Sequence, residues 1–102
     1  MTTVQKTIFK ILTNDQWVKF QMTGRFIGTD LDIKSGYIHM SGTNEQVNRV
    51  KQKYYEGVKI FLLHIDQNKL NNLKYELASD GSLYPHQYGE LVIGDVVGTE
   101  LL

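Results

Sequence analysis

The chain has 102 residues, with eleven basic and eleven acidic side chains and no cysteine. This length fits one domain, and the lack of cysteine excludes disulfides, thiolate nucleophiles and cysteine-ligated zinc. A formal net charge of zero gives no general attraction to nucleic acid or to anionic membranes.

From these residues we expect neither a secretion signal nor a membrane-spanning segment. Residues 1–10 lack the apolar run of a secretion signal. No stretch reaches the ~18 apolar residues of a membrane span. We therefore expect a cytoplasmic protein, small enough to enter the nucleus as well, with neither membrane nor nucleic acid as a partner.

The first quarter of the chain predicts a strand followed by a capped helix. Residues 6–12 are β-branched and aromatic, as is typical of a strand. Thr13 and Gln16 have the spacing of a capping box, which predicts a helix start. The helix is expected to end at Gly24 and to place Phe20 against the sheet.

A second strand and helix follow after an irregular connection. Residues 26–33 are predicted to be irregular or short-stranded, and residues 34–36 form a turn. Residues 37–41 (YIHMS) have the composition of a strand. Thr43 repeats the capping-box spacing and predicts a helix over residues 44–55.

The second half of the chain predicts mainly strands. Residues 58–66 (VKIFLLHID) are apolar on both faces, which favours a central strand covered on both sides. A one-turn helix or linker surrounds Leu70, and residues 74–77 form a short strand. Residues 83–91 are predicted to be irregular because they contain a proline and a glycine. A last strand follows the turn in residues 92–102.

These elements predict an α+β domain with two helices on a mixed or antiparallel split sheet. The predicted order is β-α-β-α-β-β-loop-β. A single domain is expected over residues 1–102, with its core at about 6–101.

The strand YIHMS has two chemically different faces. Tyr37, His39 and Ser41 alternate with Ile38 and Met40, so an apolar face lies opposite a polar one. His39 is then either a half-buried histidine bonded to a carbonyl, or part of a pocket wall where it can shuttle a proton.

The segment LYPHQYG combines aromatic rings, an imidazole and a proline. Tyr84, His86 and Tyr88 are the residue types that binding loops use to contact ligands. The alternative interpretation is a proline-anchored turn whose tyrosines fill the core.

Three further polar side chains lie in predicted strands. Glu76 is either an exposed edge carboxylate or part of a site. Lys10 is either a snorkelling edge lysine or an anion contact. His64 lies in the central strand, where we expect a structural histidine whose hydrogen bonds are satisfied.

Several classes of site are not supported by the sequence. Neither glycine-rich phosphate-binding fingerprint is present, and three histidines 25 and 22 residues apart form no recognisable metal signature. Ser41, His86 and Asp32 could be assembled into a triad, but no nucleophile elbow supports it.

The order and content of these motifs resemble one small protein family. They are IFKILT, the D-x-x-x-G-Y-I-H-x-S run from Asp32 to Ser41, LLHID, KYE and LYPHQYG. They resemble the family numbered nine-five-two among the domains of unknown function, over about residues 8–97. Some members of that family carry a glutathione S-transferase label, although this sequence does not resemble a thioredoxin-like glutathione site.

The resemblance implies a fold similar to that of ADP-ribosyltransferases and RNA 2′-phosphotransferases. Those enzymes hold NAD or ADP-ribose in a cleft between two small sheets. By position, Lys10 matches a first-strand polar residue that is histidine in some relatives. His39 and Ser41 match the histidine-serine signature. The later polar group of the cleft is matched by Glu76, His86 and Tyr88.

The sequence and the resemblance together predict a small-molecule site for a nucleotide or ADP-ribose-like ligand. The predicted catalytic residues are His39, His86 and Glu76, the predicted ligand-binding residues are Lys10, Ser41, Tyr84 and Tyr88, and no metal ligand is predicted. The expected activity is that of a transferase, with NAD as a candidate substrate. The alternatives are a non-catalytic metabolite-binding module and a structural or interaction domain. The cofactor and oligomeric state are left open.

Overall fold

The computed structural model describes residues 6–102, so residues 1–5 of the predicted domain lie outside the described residues. The strands are β1 (Thr7–Thr13), β2 (Arg25–Phe26), β3 (Ile38–His39), β4 (Ile60–Asp66), β5 (Leu73–Leu77), β6 (Leu83–Gln87), β7 (Leu91–Val92) and β8 (Val96–Leu101). The α-helices are α1 (Asn14–Thr23), α2 (Asp30–Ser35) and α3 (Asn44–Tyr54). Single 3₁₀ turns cover Gln67–Lys69 and Ile93–Asp95.

The strands form three small antiparallel sheets. Their orders are β1-β4-β8, β2-β7 and β3-β6-β5. The predicted α+β class is confirmed, and the split sheet is antiparallel throughout the described residues rather than mixed.

Strand β4 is the centre of the largest sheet, as its apolar sequence predicts. It pairs with β1 on one side and with β8 on the other. Ile60, Leu63 and Ile65 are fully buried in it. Core residues cover both faces of this sheet: one cluster contains Ile8 and Phe20, and the other contains Val47 of α3.

The first helix begins and ends where its sequence signals lie. Thr13 accepts a hydrogen bond from the Gln16 amide, and the Gln16 side chain accepts one from the Thr13 amide, which completes a capping box. Gly24 ends the helix in the left-handed conformation, with φ of 75°. Phe20 points inwards and stacks on Phe26.

The expectation of two helices is wrong, because residues predicted to be irregular contain α2. Thr29 caps this six-residue helix, and its box is closed by Asp32 instead of the usual Glu or Gln. Gly36 ends the helix with φ of 87°. The helix has fewer than two turns, which is too short for an apolar period to show in the sequence.

The prediction that residues 83–91 are irregular is also wrong, since β6 contains Pro85 and lies between β3 and β5. The Pro85 carbonyl accepts a hydrogen bond from the Met40 amide. In an antiparallel strand the N–H and C=O of a residue point to the same neighbour. The N–H that Pro85 lacks would therefore point at Met40, just after the end of β3. No hydrogen bond is lost within the regular β3–β6 pairing.

The predicted strand 37–41 divides between two sheets. Its regular part is β3, and Ser41 instead forms an antiparallel bridge with Phe9 of β1. Two backbone hydrogen bonds of 2.7 and 2.8 Å join Ser41 to Phe9. Residues 40 and 41 thus connect the sheet of β3 directly to that of β1.

Within residues 6–102, no helix combines the length and apolar character needed to cross a membrane.

Truncation of Phe20 tests whether α1 is held by its buried face. Phe20 is 1% exposed, and Phe20→Ala is expected to lower the free energy of unfolding by about 3–5 kcal/mol. Val18→Ala is the matched control on the same helix, since Val18 is 43% exposed and its truncation should change stability by less than about 0.5 kcal/mol. Urea denaturation of both variants measures the difference, and equal effects would contradict this packing.

Candidate functional site

One face of the β3-β6-β5 sheet gathers polar and aromatic side chains. His39 of β3 lies directly opposite His86 of β6, and the register places Ile38 opposite Gln87. Side chains alternate between faces, so both imidazoles project from the same face. Ile38 and Gln87 project into the protein, where they are 2% and 3% exposed.

The carboxylate of Asp32 holds His39 in place from α2. Its Oδ1 accepts hydrogen bonds from His39 Nδ1 at 2.7 Å and from the His39 amide at 3.0 Å. Its Oδ2 accepts one from the Thr29 amide and lies 2.8 Å from Lys10 Nζ. The Lys10 ammonium also donates to the His39 carbonyl at 2.7 Å. One buried carboxylate therefore joins β1, α2 and β3.

The Asp32 carboxylate stays ionised although it is buried. Burial alone would raise its pKa, but the hydrogen bond from His39 and the charge of Lys10 outweigh burial and hold the pKa well below its usual range. Lys10 is only 6% exposed and has its charge balanced by this carboxylate.

Gly28 closes the far side of this carboxylate. A Cβ atom at residue 28 would lie 2.7 Å from Asp32 Cβ, closer than carbon atoms pack, and the φ of 126° is open only to glycine. The backbone therefore covers Asp32 at a distance that no side chain permits.

A second carboxylate holds His86. Glu76 Oε1 accepts from His86 Nδ1 at 2.9 Å and also from the Tyr88 hydroxyl. The bonds from Tyr88 and His86 lower the pKa of Glu76. In turn, the bond to Glu76 raises the pKa of Tyr88 to about 12, with burial adding to the effect. Glu76 thus positions the imidazole from the neighbouring strand.

The ring of Tyr37 covers the histidine pair. It stacks on His86, with ring centroids 4.1 Å apart and planes 20° apart. Its centroid is 4.6 Å from that of His39 and 5.3 Å from that of Tyr88. The two imidazole centroids are 5.6 Å apart. Such packing restricts each imidazole to one orientation.

Both histidines line one cavity of about 720 Å³. Its walls come from β1, α2, the face of the β3-β6-β5 sheet, α3 and the turn after β5; the lining includes Lys10, Asp32, Tyr37, His39, Ser41, Arg49, Lys53, Tyr54, Tyr55, Asp80, Tyr84 and His86. This volume lies within the range of small-molecule sites.

The arrangement leaves the same atom of each imidazole available for chemistry. An ionised carboxylate can only accept, so both Nδ1 atoms carry a hydrogen and donate to Asp32 or Glu76. Neither Nε2 has a hydrogen-bond partner among the described residues. An Nε2 with a lone pair can accept a proton and a protonated Nε2 can donate one, so two such atoms in one cavity offer both functions.

The structure places the other predicted site residues around this pair. Ser41 is buried and lines the cavity, and Tyr84 lines it while donating its hydroxyl hydrogen to Asp80 at 2.6 Å. Lys10 does not snorkel, because its ammonium is bound inside the protein by Asp32. Glu76 and Tyr88 lie outside the cavity lining: Glu76 is bonded to His86, and Tyr88 is bonded to Glu76.

The expectation that His64 has its hydrogen bonds satisfied is wrong. Its Nε2 is buried without a hydrogen-bond partner, and the nearest carboxylate oxygen, from Glu100, is 3.7 Å away. Packing holds the ring instead, edge-on to Phe9 and against Gly98.

Sequence reasoning did not assign several cavity residues to the site, among them Asp32 and Tyr55. Asp32 appeared only as a motif residue and in a triad with His86, whereas the structure pairs it with His39. The Thr29-x-x-Asp32 cap spacing was the available signal. Tyr55 follows α3 and lines the cavity, where burial and the charge of Asp32 raise its pKa. Its position depends on tertiary packing and left no signal in the sequence.

Among residues 6–102, no three His, Cys, Asp or Glu side chains are grouped so as to hold a metal ion.

Comparison with known proteins gives a family and a fold. A family model described as "Protein of unknown function (DUF952)" matches residues 11–99. The crystal structure of protein CC0527 from Caulobacter crescentus is 31% identical, with a TM-score of 0.88 over 95% of this chain and 86% of that one. Its solution NMR structure gives 31% identity and a TM-score of 0.80, over 92% and 82% of the two chains. No curated protein matches the chain.

The Lys10–Asp32 pair is expected to be strongly coupled. Lys10→Met or Asp32→Asn alone leaves a buried charged partner and should cost about 3–5 kcal/mol of unfolding free energy. The double variant should lose much less than the sum of the two. Because the pKa of Asp32 is lowered, its contribution is present above pH ~4 and disappears as the pH falls further.

Urea denaturation of the four proteins at neutral and acid pH measures this coupling. The exposed Arg25–Glu90 pair provides the control cycle, for which much weaker coupling is expected. Additive single effects for Lys10 and Asp32 would contradict the arrangement.

Replacement of Glu76 should release the Tyr88 phenol. In Glu76→Gln the pKa of Tyr88 is expected to fall from about 12 towards 10.0, because the carboxylate acceptor is lost. As the folded pKa is raised, this bond contributes stability below pH 10.0 and loses it as the pH rises towards 12. NMR titration of ring-labelled tyrosine, with Tyr88→Phe to assign the signal and Glu90→Gln as control, measures the shift. An unchanged Tyr88 curve in Glu76→Gln would refute the assignment.

Proposed function

This chain belongs to the family described as Protein of unknown function (DUF952), and we propose that it binds a nucleotide-like small molecule and acts on it by acid–base chemistry in the cleft of His39 and His86. The proposal is supported by one observation above all. Two imidazoles lie side by side on the wall of one cavity, each with its Nδ1 bound to a carboxylate.

A purely structural role would not require this arrangement. Burying Asp32 and Lys10 has a desolvation cost, and apolar side chains of the same volume would often give equal or greater stability. The Lys10–Asp32 ion pair fixes the orientation of His39. The His39 side chain lines the cavity and is 35% exposed. Pre-organised groups of this kind are typical of catalytic sites.

The proposed chemistry uses the two Nε2 atoms in opposite senses. One imidazole takes the proton from an attacking hydroxyl group or water while the new bond to the ligand forms. The other imidazole starts protonated on both nitrogens and gives its Nε2 proton to the leaving group as the old bond breaks, so the proton count of the protein is unchanged. Asp32 and Glu76 stabilise whichever ring is positively charged.

The proposed ligand class is argued from the cavity and from the ADP-ribosyltransferase-like fold that the sequence resemblance implies. The volume of about 720 Å³ accommodates a nucleotide. Tyrosine rings and lysine and arginine side chains line it together, a combination suited to a base and a phosphate. An ADP-ribose-like ligand, with NAD as the transferase substrate to test, is therefore the first choice.

The first experiment is an amide NMR titration of labelled protein with NAD, ADP-ribose, AMP and glutathione. We expect saturable shifts in residues 37–41 and 83–89 with the adenine nucleotides and not with glutathione. In His39→Ala and His86→Ala the affinity should fall by about tenfold or more, since each loses a hydrogen-bonding group that contacts the ligand. NAD consumption is then followed in the same variants.

His64→Gln is the matched control, because this third histidine lies outside the cavity lining. It should leave both binding and turnover unchanged. Saturable binding without turnover would support a metabolite-binding module instead of an enzyme. Two results together would favour a structural role instead: no chemical-shift change in either segment with any of the four compounds, and a loss of stability in His39→Ala.

A further inference from the structure

A second part of the cavity wall is formed by one face of α3. Arg49, Val50, Lys53 and Tyr54 all line the cavity. Their spacing of one, three and one residues puts them on the same side of a helix. The C-terminal half of α3 therefore faces the same space as the histidines.

The cations of the cavity differ in whether they are already paired. Lys10 is bound to Asp32, and Arg49 is bound to Glu45 at 2.5 Å and to Asp80 at 3.0 Å. For Lys53, no carboxylate lies within 4.0 Å in the part of the chain that the structure describes. Among the cations that line the cavity there, Lys53 has the charge that no protein group balances.

The Lys53 ammonium contacts the aromatic ring of Tyr54, which also lines the cavity. Its Nζ lies 5.2 Å from the centroid of the Tyr54 ring, within the range of a cation–π contact. Tyr54 is 53% exposed, which is high for a large aromatic side chain that lines a cavity. Tyr84 also lines the cavity, and the hydrogen bond from the Tyr84 hydroxyl to Asp80 restrains its ring. A positive charge thus lies next to aromatic surface that is partly exposed.

We infer that Lys53 is the phosphate-binding residue of this site and selects phosphorylated over unphosphorylated ligands. The inference rests on the proposed function, because it assumes that a nucleotide-like ligand reaches His39 and His86. A phosphate near Lys53 balances the unpaired charge, and the base or sugar of the ligand packs on the neighbouring tyrosine rings. Lysine contributes a point charge to phosphate binding and needs no bidentate geometry.

The test compares adenosine, AMP, ADP-ribose and ribose 5-phosphate, each titrated into wild-type protein, Lys53→Gln and Lys51→Gln. Lys51 is the matched control, since it lies on the same helix but outside the cavity lining. We expect wild-type protein to bind AMP and ADP-ribose more tightly than adenosine. Lys53→Gln should weaken AMP and ADP-ribose by about fivefold, the range of one exposed ion pair, and leave adenosine unchanged.

Salt dependence gives a second measurement. Affinity for AMP should fall as ionic strength rises in wild-type protein and in Lys51→Gln, and fall less steeply in Lys53→Gln, because exposed charges are screened. Tighter binding of ribose 5-phosphate than of adenosine would support phosphate selection independently of the base.

The two hypotheses fail differently. If adenosine and AMP bind equally, or if Lys53→Gln and Lys51→Gln behave alike, the role of Lys53 is overturned while the histidine cleft stands. If none of the four compounds shifts residues 37–41 and 83–89 of wild-type protein, both are overturned.

Discussion

The buried carboxylate of Asp32 is the constraint on which the rest of the site depends. It is 2% exposed, yet it makes contacts with three segments that are distant in sequence: Lys10 in β1, Thr29 before α2, and His39 in β3. A charge buried this deeply must be paired and fully hydrogen-bonded. That requirement fixes the turn from α2 into β3, and with it the orientation of one imidazole. The bare backbone at Gly28 is the other half of the same constraint, because any side chain there would displace the carboxylate.

The two histidines reach equivalent positions by different means. His39 depends on a helix cap and a buried ion pair, whereas His86 depends on strand register, which brings Glu76 beside it from β5. Asp32, the carboxylate that binds His39, has its charge balanced by Lys10. Glu76, the carboxylate that binds His86, is more exposed, and the same oxygen also accepts a hydrogen bond from the Tyr88 hydroxyl. Both histidines therefore donate from Nδ1, but the charges around them differ. In other enzymes, such a difference in surroundings separates the acid from the base.

Local signals in the sequence were sufficient for some of these features and not for others. The Thr13–Gln16 box, the Gly24 stop and the apolar run of β4 act within a few residues, so they predicted α1 and the central strand correctly. Alternation along YIHMS also predicted that His39 and Ile38 face opposite ways.

The same reasoning failed at α2, because the helix is capped through Asp32. It also failed at β6, because the missing amide hydrogen of Pro85 would disrupt the sheet only if β3 continued beside it. The partners of the histidines could not be predicted, because Lys10, Asp32 and Glu76 reach them only through tertiary structure.

The division of the YIHMS segment between two sheets bears on how a ligand would be received. Met40 is bonded to Pro85 in one sheet, and the next residue, Ser41, is bonded to Phe9 in another. Two consecutive residues thus join the sheet that carries the histidines to the sheet of β1. Sliding of one sheet over the other would break the hydrogen bonds that Met40 and Ser41 make to Pro85 and Phe9. This part of the cavity wall is therefore organised when the chain folds, so a ligand that bound there would cause little further loss of conformational entropy.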